Sequence, residues 1–491
     1  MLTMLATLLC PLAVSIAQQP PATRPVAPAA APAAQPPQYT PLRWNEDWSY
    51  LRDTPRTDFF DPIKFIPLND EESIYLSLGG SARYRWERFE NAGFGAGPQD
   101  DDGFHLLRLM AHADLHVGER FRVFVQGISA NADGRDGGER PGIDENDLDI
   151  HQAFADIRLR SGEGDWLTVR GGRQNLLYGA QRLISPLDWT NTRRTFDAVK
   201  LSRSYGLPGS TFDLFWARPV IVDEGPLDEW YDGSTDFAGI YNSAVLVRGE
   251  SGSQPTRFEQ YLLYLDRESA SFLQGTGEEE RMTVGARFYT NPAPFDLDIE
   301  GAYQFGDFAS AAGEGDISAF FIAAEAGLGL APETTLAPRL FAGGTYASGD
   351  DDPDDADLGT FNQLFPLAHA YLGYADVLGR QNVIDLYAGT DLNLLSGETR
   401  FARKLSLQAT YHAFWRASDD DAIYTTAAAV GRAGGEDRFI GSEIDLLLNW
   451  QIDRHLSAYA GFSHFFAGDF IEETGPSDDL SFLYVGVQYA F

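Results

Sequence analysis

The chain has 491 residues, a formal net charge of −35 and a glycine- and aromatic-rich composition, with 49 Gly, 21 Tyr and 33 Phe. A single packed core stops growing near about 250 to 300 residues, whereas a β-barrel gains length as circumference. No apolar run after residue 16 is long enough for a membrane-spanning helix, which excludes a helical membrane protein and leaves a soluble β protein or a membrane barrel.

The N-terminal residues predict export. Residues 1–17 have the pattern of a signal peptide, in which an apolar run ends with small residues at Ser15 and Ala17, and we expect cleavage after Ala17. Residues 18–45 are rich in Pro and Ala and bury too little apolar surface to fold, so they are expected to form a disordered periplasmic leader. The single cysteine, Cys10, lies in the signal peptide, which excludes disulfides from the mature chain.

Residues 46–491 are predicted to form a barrel, because the hydrophobic period from Ser73 onward is two, and the apolar segments are long enough to cross a tilted bilayer. Eighteen segments follow, near 73–89, 104–117, 120–130, 148–160, 165–174, 195–205, 210–219, 237–248, 257–267, 280–290, 295–307, 316–330, 334–347, 381–394, 402–417, 439–452, 456–468 and 480–491. The predicted fold class is therefore all-β, a transmembrane antiparallel β-barrel of about 18 strands.

The connections between these segments alternate in length. Tight turns such as Gly118-Glu119 and NPAP at 291 alternate with long stretches, as short periplasmic turns and long extracellular loops do in membrane barrels. A soluble sandwich has no reason to sort its loops in this way. The last segment ends at Phe491 and resembles the signal that outer-membrane assembly machinery recognises.

The negative charge lies mostly in the predicted outer loops. Residues 90–103, 131–147, 220–236, 348–380, 418–438 and 469–479 contain 33 acidic and 5 basic residues, a difference of −28. Charge that keeps loops solvated explains this pattern. A weaker alternative is Ca²⁺ binding, although the run lacks the spacing of an EF-hand loop; its candidate ligands are Asp350, Asp351, Asp352, Asp354, Asp355 and Asp357. No other cofactor is expected.

Alternation along the strands sorts the charged residues by face. Where the apolar residues face lipid, their neighbours face the lumen. A lipid-facing Arg near the midplane would cost about 2 to 4 kcal/mol, which supports this assignment over its reverse. The predicted inward cations of the first, second, fourth and fifth strands are Arg83, Arg85, Arg108, Arg158 and Arg170. Rings of arginine in a pore favour anions, although each Arg could equally pair with a carboxylate across strands.

Three stretches carry a family resemblance: GGRQNLLYGAQRLISPLDWTNTRRTFDAVKLSR at 171–203, YHAFWRASDDDAIY at 411–424 and IGSEIDLLLNW at 440–450. Together they resemble the alginate export family of outer-membrane porins, over about residues 50–491. The resemblance implies an eighteen-stranded monomer whose positively charged lumen passes a polyuronate outward.

The resemblance also implies that particular residues line the passage. These are Arg173, Arg182, Arg416, Glu443 and Asp445. Alternation agrees for Arg416, Glu443 and Asp445, and it places Lys404 and His412 inside as well. Arg173 breaks the alternation, and a bulge at the preceding glycine pair would be needed to turn its side chain inward.

The predicted function is an outer-membrane channel of a Gram-negative cell that exports or passes an anionic polysaccharide or sugar acid. A general anion-selective porin for small solutes is one alternative, and a structural barrel plugged by loops such as 348–380 is another. An enzyme is not expected, because His112 and His116 on a strand lie about 13 Å apart and no nucleophile elbow is present. Expected partners are outer-membrane lipid, the anionic solute and the assembly machinery, with periplasmic export proteins left open and no nucleic acid.

Overall fold

The computed structural model describes residues 37, 39–160, 166–249, 254–311, 313–399 and 402–491. The predicted signal peptide at 1–17 and the leader up to residue 36 lie outside the described residues. The last part of the predicted leader is described, and there the prediction is wrong: Arg43–Asn45 form a 3₁₀ helix, with the Arg43 side chain buried. Arg43 donates hydrogen bonds to the barrel at Gly80 and Phe491. The composition of the segment does not predict these partners.

The described residues form twenty strands. They are β1 (Ile66–Pro67), β2 (Ile74–Glu90), β3 (Phe104–Val117), β4 (Phe121–Asp133), β5 (Asn146–Arg160), β6 (Trp166–Gln174), β7 (Phe196–Ser204), β8 (Thr211–Ile221), β9 (Trp230–Tyr231), β10 (Thr235–Val247), β11 (Thr256–Phe272), β12 (Gly275–Thr290), β13 (Phe295–Ser310), β14 (Gly313–Gly329), β15 (Arg339–Ala347), β16 (Val383–Thr399), β17 (Ala402–Trp415), β18 (Phe439–Gln451), β19 (Leu456–Ala467) and β20 (Leu480–Ala490).

Eighteen of these strands close into an antiparallel barrel, and the two-residue strands β1 and β9 flank it. Each barrel strand pairs with the next, and β20 pairs with β2, where Ser81 lies opposite Ala490. The predicted fold class and strand number are therefore confirmed. Helices are short: α1 (Asp61–Lys64), α2 (Ala92–Gly95), α3 (Asp469–Thr474), and 3₁₀ turns at Arg43–Asn45, Ser49–Arg52 and Ala368–Ala370. None of the described helices is long and apolar enough to cross a membrane.

The two faces of the wall alternate as the hydrophobic period predicts. In β3, Leu107 and Leu109 are 40% and 46% exposed on the outside, whereas Leu106 and Arg108 point inward and are buried. Outward exposure of large apolar side chains is what a lipid-facing wall requires. Burial of the inward side chains shows that the lumen contains packed protein rather than water alone.

Two outer loops supply this packing. Inner loop 1, residues 175–195, and inner loop 2, residues 348–382, both fold into the barrel. They are joined to each other, because the Ser185 amide donates to the Phe365 carbonyl over 2.8 Å and the ring of Trp189 stacks on His369 with centroids 3.5 Å apart. The hydrophobic core thus lies inside the barrel, between these loops and the inner wall.

Candidate functional site: the barrel lumen

Two predicted lumen arginines hold inner loop 1. Arg83 donates to the backbone carbonyls of Asp188 and Thr190 over 2.8 and 2.6 Å. Arg108 donates to the same two carbonyls and also to the Asp188 carboxylate, over 2.9 Å. Both arginines are on the inner face, as predicted, but their donors are directed at the loop. They fix protein inside the lumen instead of presenting open positive charge.

Arg85 has the same role at the next turn of the loop. Its Nη1 donates to the Trp189 carbonyl over 2.6 Å, and its guanidinium lies 4.0 Å from the centroid of the Trp189 ring. Glu87, two residues along the same face, forms a 2.5 Å ion pair with Arg85. Both side chains are almost completely buried. Because its guanidinium is buried between Trp189 and Glu87, Arg85 does not face an open path.

Glu443 and Asp445 hold inner loop 2 in the same way. Glu443 accepts from the Ala375 amide over 2.8 Å, and Asp445 accepts from the Ser463 hydroxyl over 2.5 Å. The Tyr374 amide donates to Asp445 over 3.4 Å. The two carboxylates stand on the inner face of β18, as alternation predicts, beneath the loop that they hold.

His412 and Lys404 share the inner face of β17 but have different surroundings. His412 is buried, with its Nδ1 3.0 Å from Asp385 and its Nε2 3.8 Å from Asp445. Lys404 lies near the periplasmic end of the strand and is exposed. The structure therefore brings His412 into the packed lumen and leaves Lys404 at the mouth.

Arg182 and Arg416 belong to loops and not to the strands. Arg182, in inner loop 1, forms ion pairs with Asp298 and Glu300 on the wall at 3.1 and 2.9 Å. Arg416 is fully buried just after β17 and donates to the Asp437 carbonyl over 2.6 Å. Each fastens a loop to the barrel, and neither is placed by strand alternation alone.

Arg173 lies on the outer face, so the predicted inward turn of this side chain is wrong. The β5–β6 register is continuous, with Ala153 opposite Arg173, and the proposed bulge is not present there. Arg173 forms ion pairs with Asp197 at 2.9 Å and with Glu229 at 3.0 Å. The loop that carries Glu229 folds over the outside of the wall, and these two carboxylates stabilise an arginine that would otherwise face lipid.

A large cavity opens at the periplasmic end of the lumen, with a volume of about 1170 Å³. We call it the periplasmic vestibule. In the described residues, the barrel strands contribute six basic and three acidic side chains to its lining. The basic residues are Arg122, Arg158, Arg170, Lys200, Arg203 and Arg257, and the acidic ones are Asp156, Asp213 and Glu259.

Each of the three strand carboxylates of the vestibule has a cationic partner. Asp156 lies 2.7 Å from Arg170 and Asp213 lies 3.5 Å from Lys200. Glu259 forms a 3.0 Å ion pair with Arg287. Their negative charge is therefore compensated within the wall.

Arg158 and Arg257 differ, because neither forms an ion pair with any described residue. The Arg158 guanidinium lies 4.7 Å from the centroid of the Trp166 ring. Arg257 donates to the Gly209 carbonyl over 2.9 Å and to the Ser243 hydroxyl over 3.1 Å. These two inner-wall arginines place unpaired positive charge on the wall of the vestibule, whose full lining contains seven basic and seven acidic side chains.

Sequence reasoning identified Arg158 and Arg170 but missed the other basic residues of the vestibule. The alternation that found the first two also marks Arg122, which stands between the exposed Phe121 and Val123, and Arg257, which precedes the exposed Phe258. The signal was therefore present in strands whose faces were not assigned.

The aspartates proposed as Ca²⁺ ligands lie in inner loop 2. Asp350 is buried and accepts a hydrogen bond from Gln274, and the Asp350 amide donates to Asp421 over 3.0 Å. Among the residues that the structure describes, no group of three or more His, Cys, Asp or Glu side chains is arranged to hold a metal ion. Calcium binding here stays an untested prediction.

Comparisons with known proteins agree with this geometry. A model of the alginate export family matches residues 74–483. Solved structures that the chain resembles include Pseudomonas aeruginosa OpdK with vanillate (11% identity, TM-score 0.52, covering 85% of this chain and 98% of that chain) and Acinetobacter baumannii OccAB2 (10%, 0.56, 84% and 98%). Pseudomonas aeruginosa OpdO is similar at 13% identity and a TM-score of 0.52, covering 87% and 98%. No curated protein matches significantly.

A closed eighteen-strand wall with a lipid-facing exterior defines a membrane β-barrel, and the matched family places it in the outer membrane. The chain belongs to the alginate export family, since the family model covers most of its length. The predicted recognition and the Gram-negative outer-membrane location are thereby confirmed. Family and fold are those of transport porins and not of enzymes.

Proposed function

We propose that this channel passes acidic saccharides, either a polyuronate or its sugar-acid units, and that the periplasmic vestibule is where the solute meets the barrel. The observation that carries the proposal is that two inner-wall arginines, Arg158 and Arg257, line the vestibule without a carboxylate partner among the described residues. The three strand carboxylates are paired with other cations, so they leave these two guanidiniums available to a ligand. A guanidinium can grip a carboxylate through two parallel hydrogen bonds.

The alternative of a general porin for small anions draws support from the inner loops. They occupy the lumen beyond the vestibule, and a cavity of about 1170 Å³ is on the scale of a pocket for a small ligand. Passage of a polymer would require these loops to move, whereas a sugar acid of one or two rings would need less rearrangement. The inward fold of residues 348–382 is also the feature on which a plugged structural barrel would depend.

Liposome swelling separates these functions. We expect the wild-type barrel to admit a uronic acid faster than a neutral sugar of equal size, and Arg158→Ala or Arg257→Ala to reduce that preference. Arg88→Ala is the matched control, because Arg88 is half-exposed on β2, far from the vestibule, and pairs with Glu90. Equal uptake of acidic and neutral sugars would reject the proposal, and a short oligouronate that fails to enter while the monomer enters would favour the small-anion porin.

A further inference from the structure

The N-terminal residues form one side of the vestibule. Tyr39–Phe65, which we call the N-terminal segment, contributes Leu42, Trp44, Asn45, Glu46, Asp47, Ser49 and Arg52 to the lining. This segment precedes the barrel and lies at the end with the short periplasmic turns. A solute that enters from the periplasm therefore passes it before reaching the inner wall.

Trp44 contacts two of the basic residues of the vestibule, Arg170 through its ring and Arg122 through its backbone carbonyl. The Arg170 guanidinium lies 3.8 Å from the centroid of the Trp44 ring, and Arg122 donates to the Trp44 carbonyl over 2.5 Å. The edge of the Trp44 ring meets Phe154, with centroids 6.0 Å apart. The ring thus occupies a seat built from an arginine and a phenylalanine of the inner wall.

The site that the Trp44 ring occupies contains polar groups, and not all of them have a hydrogen-bond partner. Within the described chain, Trp44 Nε1 and Arg170 Nη1 are both buried and have no hydrogen-bond acceptor. Buried donors without an acceptor are unfavourable, and an acidic sugar brings carboxylate and hydroxyl oxygens that could accept from Arg170. The contacts that hold Trp44 could therefore be exchanged for contacts with such a ligand.

The residue before Trp44 is fixed to the seam of the barrel. Arg43 donates to the Gly80 carbonyl of β2 over 2.9 Å and to the Phe491 carbonyl at the end of β20 over 2.8 Å. Its Nε also donates to Glu46 over 2.6 Å. Arg43 thereby attaches the segment to both strands that close the barrel, independently of the Trp44 seat.

A second attachment lies further along the segment. The Phe60 ring stacks on the Phe491 ring with centroids 4.9 Å apart, and Asp58 lies 2.7 Å from His455 in the β18–β19 turn. Lys64 is buried, with its Nζ 4.9 Å from the centroid of the Trp48 ring. With anchors on both sides of residue 44, Trp44 can leave its seat while the segment stays on the barrel.

We propose that the N-terminal segment is a periplasmic gate, in which the Trp44 ring occupies the place of the acidic ligand over Arg170 and is displaced when that ligand enters. The identity of the ligand rests on the proposed function. The gate itself does not depend on the proposed function, because it follows from the position of Trp44 in the vestibule.

Planar-bilayer recording of the full chain tests the gate. In Trp44→Ala we expect the mean conductance in KCl to rise above that of the wild type, because the ring no longer narrows the mouth, and the inner loops in series with the mouth limit the size of the increase. Trp44→Phe keeps a ring and should stay near wild type. Trp216→Ala is the matched control, because Trp216 is 46% exposed on the lipid-facing wall. Folding of each variant is checked by its heat-modifiable mobility, and Trp44→Leu replaces Trp44→Ala if the latter does not fold.

A second measurement tests the ligand. Asn45 is exposed beside Trp44, and an Asn45→Cys variant can carry a polarity-sensitive fluorophore. A short oligouronate should shift its emission, and a neutral oligosaccharide should not. Folded Trp44→Ala channels with wild-type conductance would overturn the gate. Raised conductance without a response to the oligouronate would retain the gate and reject the acidic ligand, so that the two failures are distinguishable.

Discussion

The guanidinium of Arg83, on the inner wall, donates a 2.6 Å hydrogen bond to the backbone carbonyl of Thr190 in inner loop 1. Arg108 donates to the same carbonyl over 3.2 Å. The inward-facing arginines that alternation predicts therefore hold inner loop 1 inside the pore through hydrogen bonds. These arginines in the middle of the barrel hold protein, whereas Arg158 and Arg257 at its periplasmic end line a cavity.

Removing both wall arginines should release inner loop 1. Arg83 and Arg108 share two carbonyl acceptors, so each single Ala variant should weaken the attachment of inner loop 1 less than the double variant does. A hydrogen bond to a charged group is worth about 1.5 to 3 kcal/mol, which makes the effect of the double variant large. We expect Arg83→Ala/Arg108→Ala to show protease cleavage within 175–195 and noisier single-channel current. Arg88→Ala is the control, and a double variant as resistant as wild type would show that these bonds do not hold the loop.

Substitution of Glu443 should separate its charge from its role as an acceptor. Glu443→Gln keeps an oxygen for the Ala375 amide and cannot ionise beside Asp445, so the barrel should be at least as stable as wild type. Glu443→Ala leaves that amide without an acceptor and should cost about 1 to 3 kcal/mol. The stability of both variants is measured as the temperature at which half of the protein loses its folded mobility on gels. Equal loss in the two variants would contradict the assigned bond.

The outer loop at 222–234 should be held more firmly at pH 5 than at pH 8. Burial, followed by the nearby charge of Asp149, raises the pKa of Glu229 from 4.5 to about 7, against the opposing effect of Arg173. Between pH 4.5 and about pH 7, Glu229 keeps a proton in the folded loop that it has released in the unfolded loop. The free energy of unfolding of the loop therefore falls as the pH rises, by up to about 3 kcal/mol.

Amide hydrogen exchange at Trp230–Tyr231, corrected for the intrinsic effect of pH, measures this change. Glu229→Gln cannot ionise and should show the same protection at both pH values. Wild-type protection that is equal at pH 5 and pH 8, or that increases with pH, would show that Glu229 is ionised throughout.

Alternation predicted the faces of the strands well, because lipid outside a barrel imposes a period of two on every strand. Arg83, Arg108 and Arg170 stand on the inner wall as expected. Alternation could not predict what fills the lumen. Long-range hydrogen bonds such as that between Ser185 and Phe365 fold two loops inward, and residues far apart in sequence supply the partners.

The two largest differences from the sequence-based expectations have a common cause. Arg173 faces outward because Glu229, from a loop more than fifty residues away, provides a partner there. Arg43 is ordered because Gly80 and Phe491, from opposite ends of the barrel, accept its hydrogen bonds. In both cases a distant acceptor decides the placement of an arginine, and local composition carries no sign of it.

The most direct measurement of the central claim is the reversal potential of single channels in a KCl gradient at high salt. At about 1 M ionic strength the Debye length is about 3 Å, so the acidic outer loops are screened and an ion senses only the charges that it contacts on its path. We expect the wild type to prefer chloride, and Arg158→Ala/Arg257→Ala to lose that preference. A wild-type channel that prefers potassium under these conditions, or a double variant with unchanged selectivity, would contradict the account.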